Sequence, residues 1–137
     1  MPSFGAASVS RITTCHPDLQ IIFAEVVKIV DCSVICGHRD EIVQQEYFSD
    51  GRSKVQYPNS KHNSYPSMAA DVAPYPIDWE DIRRFDRFAG IVHGVANMLY
   101  KAGEITHLIR DGGDWDRDTQ VKDNKFNDLL HFELIRP

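Results

Sequence analysis

The stretch Leu129-Leu130-His131-Phe132-Glu133-Leu134-Ile135 sets Leu130, Phe132 and Leu134 on one face of a strand and His131 and Glu133 on the other, because successive side chains of a strand point to opposite sides. The apolar face calls for helices packed against it. The other face carries an imidazole and a carboxylate side by side. Taken alone, a histidine on the polar face of a terminal strand, as His131 is, reads as a solvated side chain rather than a ligand.

Working outward, three more strands are expected. Met68-Ala69-Ala70-Asp71-Val72-Ala73 is short and stopped by Pro74 and Pro76. Cys32-Ser33-Val34-Ile35-Cys36 is broken by Gly37, and Ile105 to Ile109 is the fourth. Pro17 opens a helix with Leu19, Ile22, Phe23, Val26, Val27 and Val30 at steps of three and four, ended by Asp31. Asp40 can cap a second helix running to Phe48, and Asp78 a long third one over Trp79 to Ala102. The stripe of that third helix includes Ile82, Phe85, Ala89, Val92, Ala96 and Leu99, and Gly103 stops it. Residues 1–15 read as a loosely attached leader. The whole reads as a single α+β domain, a small and mainly antiparallel sheet with helices packed on one face. Residues 49–67 form a polar loop rich in turn formers, of a length that is usually functional. A glycine-opened acidic loop begins at Asp111-Gly112-Gly113-Asp114-Trp115-Asp116 and runs on to residue 127.

A chain of 137 residues has room for one domain. The longest apolar run, Ile21-Ile22-Phe23-Ala24, is too short to span a bilayer, and residues 1–7 lack the pattern of a secretory signal. The net charge of −5 argues against a nucleic-acid partner. Cys32 and Cys36 share a strand face but stand roughly 13 Å apart at about 3.3 Å per residue, too far for a disulfide or a shared zinc. With Cys15 they are expected to be buried free thiols, as suits a reducing compartment.

The chemistry gathers at three places. His62 lies in the polar loop just before a strand, Asp71 on that strand among the small residues Ala69, Ala70 and Ala73, and His131 on the last strand. Two imidazoles and a carboxylate are a ligand set for a catalytic zinc, with the fourth position left to water. Asp128, three residues before His131, is placed to act as a general base without binding the metal. The plainer readings stay open: Asp71 capping a turn or facing solvent, His62 as an ordinary loop residue.

Ser60-Lys61-His62, Ala70-Asp71-Val72-Ala73-Pro74-Tyr75 and Asp128-x-x-His131-Phe132-Glu133-Leu134 resemble the zinc peptidases that cut bacterial cell-wall peptides. These are the D-alanyl-D-alanine carboxypeptidases and the L-alanyl-D-glutamate endopeptidases, including bacteriophage endolysins, which share a fold with the hedgehog signalling domain. The order of parts agrees over roughly residues 17–135. The resemblance implies zinc on His62, Asp71 and His131, with Asp128 as catalytic base. It also implies that Arg39, in Gly37-His38-Arg39, steadies the scissile carbonyl as it becomes an oxyanion; the other reading of Arg39 is a surface salt bridge to Asp40 or Glu41. One departure is plain. The usual His-x-x-Gly-x-Ala-x-Asp spacing is two residues shorter than the interval here, where Pro66-Ser67 replaces the glycine.

Further candidates are Glu133, which can accept a bond from a ligand imidazole, Ser60 and Lys61, which can orient His62 or touch a substrate carboxylate, and Asp114 and Trp115, whose loop flanks the cleft in the resembled family. His16, His38, His93 and His107 read as structural. The expected function is a zinc-dependent hydrolase of peptidoglycan stem peptides, a monomeric L-alanyl-D-glutamate endopeptidase of the phage endolysin type. It would be made in the host cytoplasm and act at the periplasmic wall once a separate pore opens the membrane. A D-alanyl-D-alanine carboxypeptidase, a non-catalytic hedgehog-like zinc module and a structural protein of a phage particle are the alternatives.

Overall fold

Phe132 is fully buried, edge-on to Phe23 at 5.5 Å and to Phe88 at 5.9 Å between ring centroids. These three rings hold one strand against two helices, and burying each contributes roughly 1.5–3 kcal/mol. In a computed structural model that describes residues 2–113 and 128–137, the elements run α1 (Ala6–Ile12), α2 (Pro17–Ile29), β1 (Cys32–Cys36), α3 (Glu41–Ser49), β2 (Ala69–Pro74), α4 (Ile82–Lys101), β3 (Leu108–Gly112) and β4 (Asp128–Ile135).

The strands pair in the order β1-β2-β4-β3, and each pairing is antiparallel. β4 therefore lies inside the sheet, opposite Ala69, Ala70 and Asp71 of β2 on one side and Leu108 to Gly112 of β3 on the other. Leu19, Ile22, Phe23 and Val26 of α2 and Phe88, Val92 and Ala96 of α4 form a core with Val34, Val72, Phe132 and Leu134 of the sheet. This is the expected α+β arrangement. The caps follow ordinary helix chemistry: Pro17 occupies the first turn of α2, and the Asp40 carboxylate accepts from the Val43 N–H at the start of α3.

Three expectations need correction. The stretch read as a loose leader, residues 1–15, is tied to the sheet from Ala6 onward. α1 lies along the free edge of β1, where the Val34 N–H donates to Ser8 Oγ (3.0 Å) and Arg11 Nη1 donates to the Val34 carbonyl (3.0 Å). The segment after it is tied down as well, with the Ser67 N–H on the Thr14 carbonyl at 2.9 Å and the His16 N–H on the Ser67 carbonyl at 2.8 Å. An edge strand's unpaired backbone groups are satisfied in this way. Second, α4 starts at Ile82 with Asp81 as its cap, accepting from the Arg84 N–H. Asp78 instead accepts from the Glu80 N–H in the preceding turn, and Ile82 is exposed, not part of the buried stripe. Third, β3 lies at Leu108–Gly112, three residues later than expected, because its partner β4 sets the register: Asp111 faces Phe132 and Gly112 faces Asp128. A Cβ on Gly112 would fall 2.1 Å from the Asp128 carbonyl oxygen, so only glycine permits this approach.

The three cysteines are buried and free, as expected. Burial pushes the Cys15 and Cys32 thiols up to about 12, which makes them inert.

Candidate metal centre

Asp71 stands opposite His131 in the β2–β4 pair, so the sheet itself brings a carboxylate and an imidazole together on the face away from the aromatic core. The long loop delivers the third group. Its backbone is pinned on both sides of His62: the Arg39 N–H donates to the His62 carbonyl at 2.8 Å, and the Met68 N–H donates to the Lys61 carbonyl at 3.0 Å. Between these anchors Ser64, Tyr65 and Pro66 are exposed while His62 and Ser67 are buried. The longer His62–Asp71 interval thus bulges into solvent without displacing its ends.

The hydrogen bonds decide which atoms face inward. His62 Nδ1 lies 2.6 Å from the Gly37 carbonyl, which can only accept, so that nitrogen carries hydrogen and Nε2 points at Asp71 Oδ1, 3.1 Å away. His131 Nε2 donates to Glu133 Oε1 at 2.8 Å, which leaves Nδ1 facing the same Asp71 Oδ1 at 3.3 Å. Outer acceptors of this kind fix the tautomer and orientation of metal-binding imidazoles. The spacing also fits the donor set. Nitrogen and oxygen ligands at about 2.0 Å around a tetrahedral zinc stand roughly 3.3 Å from each other, close to the two separations found. His62, Asp71 and His131 are all buried, and together they form a group able to hold a metal ion.

Gly37 is required for this arrangement. A Cβ there would meet the Arg11 carbonyl oxygen and Thr14 Oγ1, each at 2.4 Å. The close packing against the end of α1 aims the Gly37 carbonyl at His62.

Asp71's second oxygen is held by Arg39, whose Nη2 donates to Oδ2 at 2.8 Å. Arg39 is buried, donating also to Cys36 Sγ (3.2 Å) and to Gln44 Oε1 (3.2 Å). The reading of Arg39 as a surface salt bridge to Asp40 or Glu41 is therefore wrong. Glu133 is buried too, not solvated. It takes Arg110 Nη2 at 2.6 Å and Lys61 Nζ at 3.2 Å on Oε2 while accepting from His131 on Oε1. Burial would raise its carboxyl, but the bonds from His131 and Arg110 outweigh that and hold it down at about 2. Ser60 Oγ accepts from the His62 N–H at 3.2 Å, and Lys61 also donates to the Leu134 carbonyl. Asp128 is half-buried, and burial followed by the Asp71 charge raises its carboxyl above the usual range.

A cleft of about 270 Å³ opens over these groups, and Arg39, His62, Asp128, His131 and Glu133 all line it. Asp114 and Trp115 lie outside the described residues. Sequence reasoning missed the Gly37 carbonyl, Arg110 and Gln44. The first is a backbone atom, and the other two act across the fold with no local pattern to mark them.

The remaining histidines hold the scaffold together. His16, Asp18 and His107 also approach closely enough to share a cation. However, Asp18 Oδ2 already accepts from the Thr106 N–H and hydroxyl and from His107 Nδ1, and His16 Nδ1 caps α2 by accepting from the Asp18 N–H. His93 pairs with Asp111 at 2.7 Å, and His38 Nδ1 donates to the Ser64 carbonyl at 2.9 Å.

A family model of the phage L-alanyl-D-glutamate peptidases matches residues 2–135. The chain belongs to this family. Membership makes the protein a peptidase acting on peptidoglycan, and the metal-dependent chemistry of that family agrees with a His-Asp-His group able to hold a metal ion, whose two histidines line the cleft. The peptidase also shares its fold with a solved structure, the crystal structure of Serratia marcescens L-Ala D-Glu endopeptidase ChiX. The TM-score is 0.69 at 23% identity, over 98% of this chain and 91% of that one. No curated protein sequence matches the peptidase. Among its described residues no helix is long and apolar enough to cross a membrane.

Proposed function

We propose that this peptidase is a zinc-dependent endopeptidase that cuts the L-alanyl-D-glutamate bond of peptidoglycan stem peptides as a monomer. The observation that carries the proposal is the paired orientation of His62 and His131, each with its outer nitrogen on an acceptor and its inner one on Asp71 Oδ1. His62 Nε2, Asp71 Oδ1 and His131 Nδ1 are the ligand atoms. Zinc held there supplies Lewis-acid chemistry and a water reactive near neutral pH. Asp128, at the cleft wall, takes the proton of the attacking water and returns it to the leaving amine; a carboxyl raised by burial suits both halves of that task. Arg39 fixes Asp71 through Oδ2 and places a permanent cation where the carbonyl oxygen gains charge. Such an enzyme is made in the host cytoplasm and reaches the wall after a separate pore has opened the membrane.

Digestion of purified peptidoglycan tests this. The expected products carry new L-alanyl carboxyl and D-glutamyl amino termini by mass spectrometry, and a chelator abolishes their formation. Release of D-alanine instead would mark a carboxypeptidase, and no release by zinc-loaded protein would mark a non-catalytic module.

Metal affinity should depend steeply on pH. In chelator-stripped protein, burial works to lower the His62 imidazole, but the Asp71 carboxylate outweighs it and pushes it up to about 9. His131 is raised as well, because its bonds to Asp71 and Glu133 overcome burial. While these imidazoles are protonated the metal has to displace protons, so affinity strengthens as pH rises, ~10-fold per pH unit for each proton released, and the His62 contribution levels off above about pH 9. Competition against a chromophoric chelator across neutral pH measures the slope. A flat profile would contradict the ligand assignment.

A further inference from the structure

The chain carries a net charge of −5, yet its cleft is basic. Arg39, Arg52, Lys54, Lys61 and Arg110 line it, against Asp128 and Glu133 as the only lining carboxylates among the described residues. Three of these cations serve the ligand group: Arg39 binds Asp71, while Lys61 and Arg110 bind Glu133. Arg52 is placed by Asp50 and Tyr47, and with Lys54 it stands on the strip 52–55 that forms one wall. Building on the endopeptidase reading, we propose that Arg52 and Lys54 form an anion subsite that recognises a free carboxylate of the stem peptide beside the cleaved bond. The enzyme thereby favours acidic stems over amidated ones.

The wall is built to hold position. Gln44, fully buried in α3, donates from Nε2 to Ser53 Oγ (3.0 Å) and to the Val55 carbonyl (2.8 Å), and its Oε1 accepts from Arg39. The Ser53 N–H donates to the Tyr47 carbonyl at 3.0 Å. The strip is therefore bolted to α3 by the same side chain that steadies Arg39. Tyr47 adds a second tie. The guanidinium carbons of Arg39 and Arg52 each lie 3.9 Å from the centre of its ring, and two cations at that distance have to take opposite faces. The Tyr47 ring is thus a spacer that sets Arg52 at a fixed place relative to Arg39, and through Arg39 relative to Asp71.

Arg52 is half-exposed and paired with Asp50 through Nε at 3.0 Å and Nη2 at 2.8 Å. An exposed pair of this kind contributes little, so a substrate carboxylate can join or replace Asp50 at low cost. The substrate offers such a group. Its D-glutamyl residue continues the chain through the side-chain carboxyl, which leaves the α-carboxylate two bonds from the scissile nitrogen. The diamino acid that follows can carry another. Arginine's fork suits either.

The test compares synthetic stem peptides with the zinc-loaded full chain: the free acid, the peptide amidated at the D-glutamyl α-carboxyl, and the peptide amidated at the diamino acid. The parent enzyme should cleave one of the amides ~10-fold or more slowly in kcat/KM than the acid, the usual weight of a charge-assisted bond, and which amide suffers identifies the carboxylate. Arg52→Gln should raise KM for the acid by a similar factor, with unchanged metal content, and narrow the gap between acid and amide to ~2-fold. Lys54→Gln should do the same to a smaller extent. If the parent cleaves all three peptides equally, or if a variant carrying both Arg52→Gln and Lys54→Gln discriminates as the parent does, the subsite is wrong while the endopeptidase reading stands. If zinc-loaded parent cleaves none of them, both fall.

Discussion

Asp128→Asn should bind zinc as the parent does and lose ~10²-fold or more of its hydrolytic rate, the ordinary scale for removing a general base. The amide has nearly the same size as the carboxyl, so the close approach of Gly112 to residue 128 is undisturbed. It cannot accept a proton at neutral pH. Metal content and turnover therefore separate in this variant, whereas in His62→Ala or His131→Ala they fall together. Zinc content by atomic absorption and release of stem-peptide fragments should be measured on one preparation. Hydrolysis near the parental rate would remove Asp128 from the mechanism and leave the metal group untouched.

Asp71→Ala should be the most damaging single change, because it acts twice. It removes the carboxylate that both imidazoles face, so under the proposed ligand assignment zinc should be lost. It also strands the buried Arg39 guanidinium without its carboxylate, and breaking a buried pair from one side costs ~3–5 kcal/mol. Urea unfolding in the presence of chelator isolates the second effect, since neither parent nor variant then holds metal. The variant's midpoint should fall well below the parent's. Equal midpoints would show that the Arg39–Asp71 bond adds nothing to stability, and stoichiometric zinc in the variant would overturn the ligand assignment.

Much of this was readable from residue order because it is local. The alternation from Leu130 to Leu134 fixed both faces of β4, and the apolar steps from Leu19 to Val27 fixed α2. The three ligand candidates were readable only in combination, as two imidazoles and a carboxylate whose flanking residues carry the resemblance; singly, His62, Asp71 and His131 have ordinary readings. What escaped is polar and long-range. α1 buries only Ser8 and Ile12, so its place on the edge of β1 depends on one hydroxyl and one guanidinium that no periodicity reveals. Asp78 and Asp81 are equally good caps by residue type, and the turn through Trp79 and Glu80 chose between them. Arg39 finds its partner not in the adjacent acids but in Asp71, 32 residues on. The start of β3 followed from pairing with β4, a strand that comes later in the chain.

The place of β4 inside the sheet bears on when activity first appears during synthesis. β4 follows every other strand in sequence, yet it lies between β2 and β3. Until it leaves the ribosome, β2 and β3 have no common neighbour, the aromatic cluster lacks Phe132, and the ligand group lacks His131. Asp71 and His131 are separated by 60 residues, so bringing them together closes a long chain segment whose entropy cost is met only once the strand pairs form. A chain in which β4 has not paired therefore lacks both His131 and the strand that joins β2 to β3, so the His-Asp-His group and the aromatic core are completed in the same step.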